Sequence, residues 1–78
     1  MNIEKLIKEF DKLLTKSEVS KLSFSEWEQA DNVTTAIENI GCTIHSDRKF
    51  YGLVPGYIIK VKDADHNVLF DKFYTTSI

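Results

Sequence analysis

The side chains with the strongest intrinsic chemistry in this chain are one thiol, Cys42, and two imidazoles, His45 and His66. Acyl transfer by a thiol needs a base within hydrogen-bond reach and donors for the developing oxyanion. Cys42 and His45 are three residues apart in a stretch that reads as a strand. Side chains alternate faces along a strand, so the two point to opposite sides. No glycine-rich turn adjoins them to furnish oxyanion donors. A structural zinc site asks for four ligands, and one Cys with two His falls short of that. The segment Asp63-Ala64-Asp65-His66-Asn67 opens like a calcium loop, with oxygens at the first, third and fifth positions. Its sixth position is Val68 where the sharp turn needs Gly, and its twelfth is Tyr74 where a bidentate Glu is needed. It is read as a hairpin loop, in which Asp and Asn side chains bond the local backbone. Gly41, Gly52 and Gly56 make no phosphate-binding loop. Glu26 and Glu28, two apart on a helix, point to different sides and cannot act as a carboxylate pair. The expectation is a chain that is not an enzyme, with no catalytic residue, no metal site and no cofactor.

Recognition is then the chemistry left to the surface, and charge is distributed unevenly along it. Between Lys21 and Arg48 stand Glu26, Glu28, Asp31, Glu38 and Asp47 with no Lys or Arg, a local charge of −5 in a chain of −2. On a helical wheel Glu28, Asp31 and Glu38 are expected to share the face opposite Trp27, Ala30, Ile37 and Ile40. No lysine lies within four residues of any of the three on that helix, so the face forgoes the pairs that usually stabilise a helix surface. Such a face suits a partner with a basic surface. The opposite reading uses Lys5, Lys8, Lys12 and Lys16, one stripe of the first helix, as phosphate contacts, with Arg48 and Lys49 adding charge and Phe50 and Tyr51 adding stacking. Glu4, Glu9 and Asp11 beside the stripe dilute its field, which ranks nucleic acid below protein as a partner.

These residues must be placed by a few short elements. Ile3, Leu6, Ile7, Phe10, Leu13 and Leu14 recur at the spacing of one helical face and predict an amphipathic helix over residues 3–14. A connection over residues 17–24 precedes a second helix, for which both Ser25 with Glu28 and Ser23 with Glu26 offer a capping box. Trp27, Ala30, Val33, Ile37 and Ile40 form its apolar stripe, the β-branched run Val33-Thr34-Thr35 weakens its middle, and Gly41 closes it. Short β-type runs follow: 42–45, 49–54, 57–62 and 68–75, with turns expected at Asp47-Arg48, Pro55-Gly56 and Ala64–Asn67. The fold class is α+β, two N-terminal helices on a three- to four-stranded antiparallel meander. One face of that sheet takes Ile44, Phe50, Val54, Tyr57, Ile59 and Val61, while Tyr51, Leu53, Ile58 and Phe73 point the other way, so both faces carry apolar residues. Either each helix covers one face of the sheet, or both gather on one side and leave the second face as an interface, for another protein or for a homodimer.

At 78 residues the chain is sized for one domain, and 42% hydrophobic with 28% charged residues is an ordinary globular composition. Ten Lys and Arg against twelve Asp and Glu leave no basic excess. A lone cysteine argues for a reducing compartment, and with neither a membrane-length apolar run nor a signal-like N-terminus the expected location is cytoplasmic, with no membrane partner. The leading expectation is a small protein-binding module that docks through Glu28, Asp31 and Glu38 together with Tyr51 and Leu53. Its size and charge resemble in general character the proteins with which phages and mobile elements inhibit host enzymes. The alternative is a nucleic-acid-binding accessory domain using the lysine stripe.

Overall fold

The structure, a computed structural model, describes residues 2–76. The chain runs α1 (Ile3–Ser17), α2 (Phe24–Asn39), β1 (Thr43–Tyr51), β2 (Val54–Lys62) and β3 (Val68–Thr75). α1 begins where the Asn2 side chain accepts the Glu4 N–H at 2.9 Å, satisfying one of the free donors of the first turn. It buries Leu6, Phe10, Leu13 and Leu14, the inner part of the expected stripe. Of the two capping boxes α2 uses Ser23 with Glu26: the Ser23 hydroxyl accepts the Glu26 N–H and the Glu26 carboxylate accepts the Ser23 N–H at 2.9 Å. The helix runs unbroken through Val33-Thr34-Thr35, with the Thr34 hydroxyl donating to the Ala30 carbonyl at 2.9 Å. Gly41 follows it with a φ of +101°, which favours a residue without Cβ. Only Ala30, Val33 and Ile37 of its stripe are buried, while Trp27 and Ile40 stay exposed at the two ends.

The sheet has three strands in the order β1-β2-β3, all antiparallel. The expected break at Asp47-Arg48 does not occur: both sit inside β1, opposite Ile58 and Tyr57. The turn lies instead at Gly52-Leu53, between the partners Tyr51 and Val54. Gly52 takes a φ of +62°, as the first central residue of a hairpin turn of the II′ kind requires, and no Asp-Arg pair would do so at low cost. Pro55-Gly56 likewise belongs to β2 and not to a turn. The Pro55 carbonyl accepts the Thr76 N–H at 3.1 Å on the β3 side, so the N–H that proline lacks would also have pointed away from β1. One strand of nine residues therefore replaces the two short ones, and Val54, opposite Tyr51, moves to the other face from that expected.

Both helices pack on the same face. α1 touches β3, α2 touches β1, and the two helices touch each other. Ile59, Val61 and Tyr74 of the sheet meet Leu6, Phe10, Leu13 and Ile37 in one core. Among the described residues no element covers the far face. The helices are also shorter than the strands they cover. Sixteen residues of α2 rise about 24 Å, while nine residues of β1 span about 30 Å. The β1–β2 hairpin consequently runs out past the helical layer, and its tip is exposed on both sides.

Candidate partner-binding surfaces

The overhanging hairpin collects exposed apolar side chains. Leu53 at the turn is 97% exposed, Phe50 67% and Tyr51 52%, and Val54 is exposed beside them. Register puts Lys49, Tyr51, Val54, Gly56, Ile58 and Phe73 on the open face. There the Tyr51 and Phe73 rings meet edge to face, with centroids 4.6 Å apart. They meet over Gly56, whose missing side chain leaves room for the Phe73 ring. The Lys49 ammonium lies 5.4 Å from the centre of the Tyr51 ring. The result is an ordered aromatic patch at one end of the open face. At the other end that face is polar, with His45, Lys60 and Asp71 in adjoining positions.

On the helical side of the same end is a cleft of about 310 Å³ whose lining includes Lys21, Leu22, Trp27 and Tyr57. It forms where the α1–α2 connection faces the ends of β2 and β3. Burial raises the Tyr57 hydroxyl above its ordinary range, with Ser17 hydrogen bonding against that rise and the Glu18 charge adding to it. Thr76 also borders a smaller recess with Arg48, Phe50 and Pro55, so the two hollows adjoin.

The acidic residues lie elsewhere. Glu28, Asp31 and Glu38 are all exposed on α2. Gln29 faces the groove towards α1, and at about 100° per residue Asp31 and Glu38 fall about 160° and 180° from it, on the flank of α2 remote from α1. α2 packs on the face of the sheet opposite Tyr51, so the acids and the aromatic patch are not one contiguous surface. Glu26 is drawn away from the acidic set: its carboxylate holds Lys16 at 2.5 Å. That hydrogen bond, with the N–H of Ser23, brings the Glu26 carboxyl down to about 2.

The lysine stripe is also divided. Lys5, Lys8 and Lys12 are exposed along α1, but Lys16 is paired with Glu26. Lys8 borders Glu4 and Asp11, and Lys12 borders Glu9. Arg48 lies on the helical side of the hairpin and Lys49 on the open face, so these two do not extend the stripe.

The residues of reactive type are dispersed. Cys42 is buried, His45 is exposed on the open face, and His66 sits in the β2–β3 loop with a φ of +67°. The Asp63 carboxylate accepts the N–H groups of Asp65 and Asn67, each at 2.9 Å, which lowers its pKa and organises the loop as a hairpin connection. No group of three or more His, Cys, Asp or Glu among the described residues is placed to hold a metal ion. No helix among them is long and apolar enough to cross a membrane.

One polar cluster was invisible to periodicity. Asp11 accepts from the Tyr74 hydroxyl at 2.7 Å and from Lys72 at 2.8 Å, joining α1 to β3 across 61 and 63 residues of sequence. Burial works to raise its carboxyl, and the bonds from Lys72 and Tyr74 with the lysine charge outweigh it, leaving a net lowering. Tyr74 is raised far above the usual phenol range by burial and then by Asp11. Asp11 reads in sequence as one more surface acid, and only β3 beside it shows otherwise. Phe24 and Trp27 are also exposed, although each is of a type that ordinarily fills a core.

No protein-family model, curated protein or solved structure matches the chain.

Proposed function

We propose that this chain is a non-enzymatic protein-binding module that docks through the hairpin end of its open sheet face, with Tyr51 and Leu53 as anchors and Phe73 and Ile58 behind them. The observation that carries the reading is the concentration of exposed apolar residues at the overhanging hairpin. Leu53 is almost wholly in water, and neighbouring aromatics are held in fixed geometry by Gly56. Contiguous apolar patches on small proteins mark interfaces, and ordered aromatic side chains are the usual anchors of such contacts. An anchor already held in place loses little side-chain entropy on binding. Inhibition of an enzyme is one use of such a module, since a projecting rigid hairpin can enter a cleft. The acids Glu28, Asp31 and Glu38 would steer a basic partner from the flank and not form the same contact.

A photoreactive residue placed at Leu53, at Asp31 or at Lys8 in the full chain tests the three surfaces against each other in cell extract. The expected result is one protein crosslinked from position 53, lost on adding excess unlabelled chain and retained on adding the Leu53→Glu, Tyr51→Ser chain. Crosslinking confined to position 31 would transfer the site to the acidic flank. Crosslinking of nucleic acid from position 8 would favour the lysine stripe.

A further inference from the structure

The two edges of the sheet differ. At β3 the Thr75 N–H is taken by Glu18 at 2.9 Å and Lys72 reaches Asp11 at 2.8 Å, so α1 and its C-cap clasp that edge. Among the described residues β1 has β2 on one side and no strand on the other, and eight of its nine residues are exposed. A long uncovered edge is a template for a further strand, and the side chains at its middle decide which strands are admitted.

That middle is Asp47-Arg48-Lys49. Asp47 and Lys49 lie on the open face and Arg48 on the helical face. Suppose β1 pairs antiparallel with β1 of a second copy about a two-fold axis at Arg48, the usual symmetry for two identical chains. Each Asp47 then stands opposite a Lys49 of the other copy, and each Tyr51 opposite a His45. Moving the axis one residue either way sets Asp47 against Asp47 or Lys49 against Lys49. Like charges directly opposite are unfavourable and unlike charges favourable, so the charge pattern selects one register among the neighbouring ones. On the helical face the same register puts Phe50, 67% exposed in the single chain, opposite Ser46 of the other copy, on the side where that copy's α2 packs. The two arginines at the axis repel. Asp31 and Glu38, on the flank of α2 remote from α1 and so on the β1 side of each copy, add negative charge on the side of this edge.

We infer that β1 is a self-association edge, through which two copies form one six-stranded sheet with all four helices on one side and two Asp47–Lys49 pairs on the other. The inference does not depend on the docking role of Tyr51 and Leu53, whose patches stay on the open face. Sedimentation equilibrium of the full chain over a range of concentrations should show a monomer–dimer equilibrium. Asp47→Lys turns two attractive pairs into two repulsive ones and should weaken the dimer about tenfold or more. The exchanged chain, Asp47→Lys with Lys49→Asp, should restore it. In a Cys42→Ser background, Arg48→Cys sets two thiols opposite each other and should oxidise to a covalent dimer. Asp47→Cys sets them a register step apart, beyond disulfide reach, and should not. Circular dichroism checks that each variant is folded. A monomer at every concentration, a dimer whose affinity ignores Asp47→Lys, or equal crosslinking at positions 47 and 48 would each overturn the inference.

Discussion

Replacing Gly56 with alanine would insert a methyl group where the neighbouring strand leaves no room for one. The added carbon falls 2.6 Å from Cε1 of Phe73 and nearer still to its Cζ and to the Tyr74 carbonyl oxygen. The ring can turn away, at the loss of its edge contact with Tyr51, but the carbonyl belongs to the neighbouring strand and cannot move without opening the ladder. Overpacking of this kind costs about 1–3 kcal/mol, and the lost ring pair about 0.5–1.5 kcal/mol. Restricting the unfolded chain returns about 0.4–1 kcal/mol. The net is about 2 kcal/mol, against a total stability of about 4–12 kcal/mol for a chain of this length. In urea unfolding followed by the fluorescence of Trp27, a slope of about 1 kcal/mol/M places the midpoint about 2 M lower. Removing the ring as well, with Phe73→Ala, should not recover the loss, because the carbonyl remains. Gly56→Ala within about 0.5 kcal/mol of the parent would refute the crowding argument.

Further outcomes follow from the core, the cap and the titrating groups. Ile37, fully buried, should cost about 2–5 kcal/mol as Ile37→Ala, read from the same urea transition. Ser23→Ala removes the N-cap of α2 and should cost about 1 kcal/mol, with partial rescue by Ser23→Asp. The Asp11 carboxyl is held below its ordinary 3.8 in the folded chain. Its contribution is therefore complete above that value and disappears as pH falls below it, and Asp11→Asn should flatten the acid limb of the stability profile. Tyr74 has the opposite sign: its phenol is held protonated above the ordinary 10.0, so its contribution is complete below pH 10 and is lost as pH rises further. Tyrosinate absorbance should show Tyr74 ionising together with unfolding, whereas Tyr74→Phe should remove that alkaline step.

Amphipathic spacing and capping chemistry are local properties, and they located α1 and the core of α2. Leu6, Phe10, Leu13 and Leu14 must share a side of any helix they form, and Ser23 with Glu26 can close a first turn without help from the rest of the chain. The β2–β3 hairpin was equally legible, because Asp63 organises its loop through its own backbone neighbours. The α+β class followed from those elements. Turn placement at β1 did not, since Asp47-Arg48 and Pro55-Gly56 both resemble turns in isolation. The choice of Gly52-Leu53 was made by pairing Thr43–Tyr51 against Val54–Lys62 over their whole length. That single register decided which side chains share a face. It sent Val54 to the side of Tyr51 and Phe50 to the helical side, where it stays exposed, while the β2–β3 register brought Phe73 beside Gly56. Alternation along a strand follows from backbone geometry and can be read from residues alone. Which face is covered depends on where two helices come to rest, and the mismatch between strand length and helix rise set how much of the hairpin stayed in water.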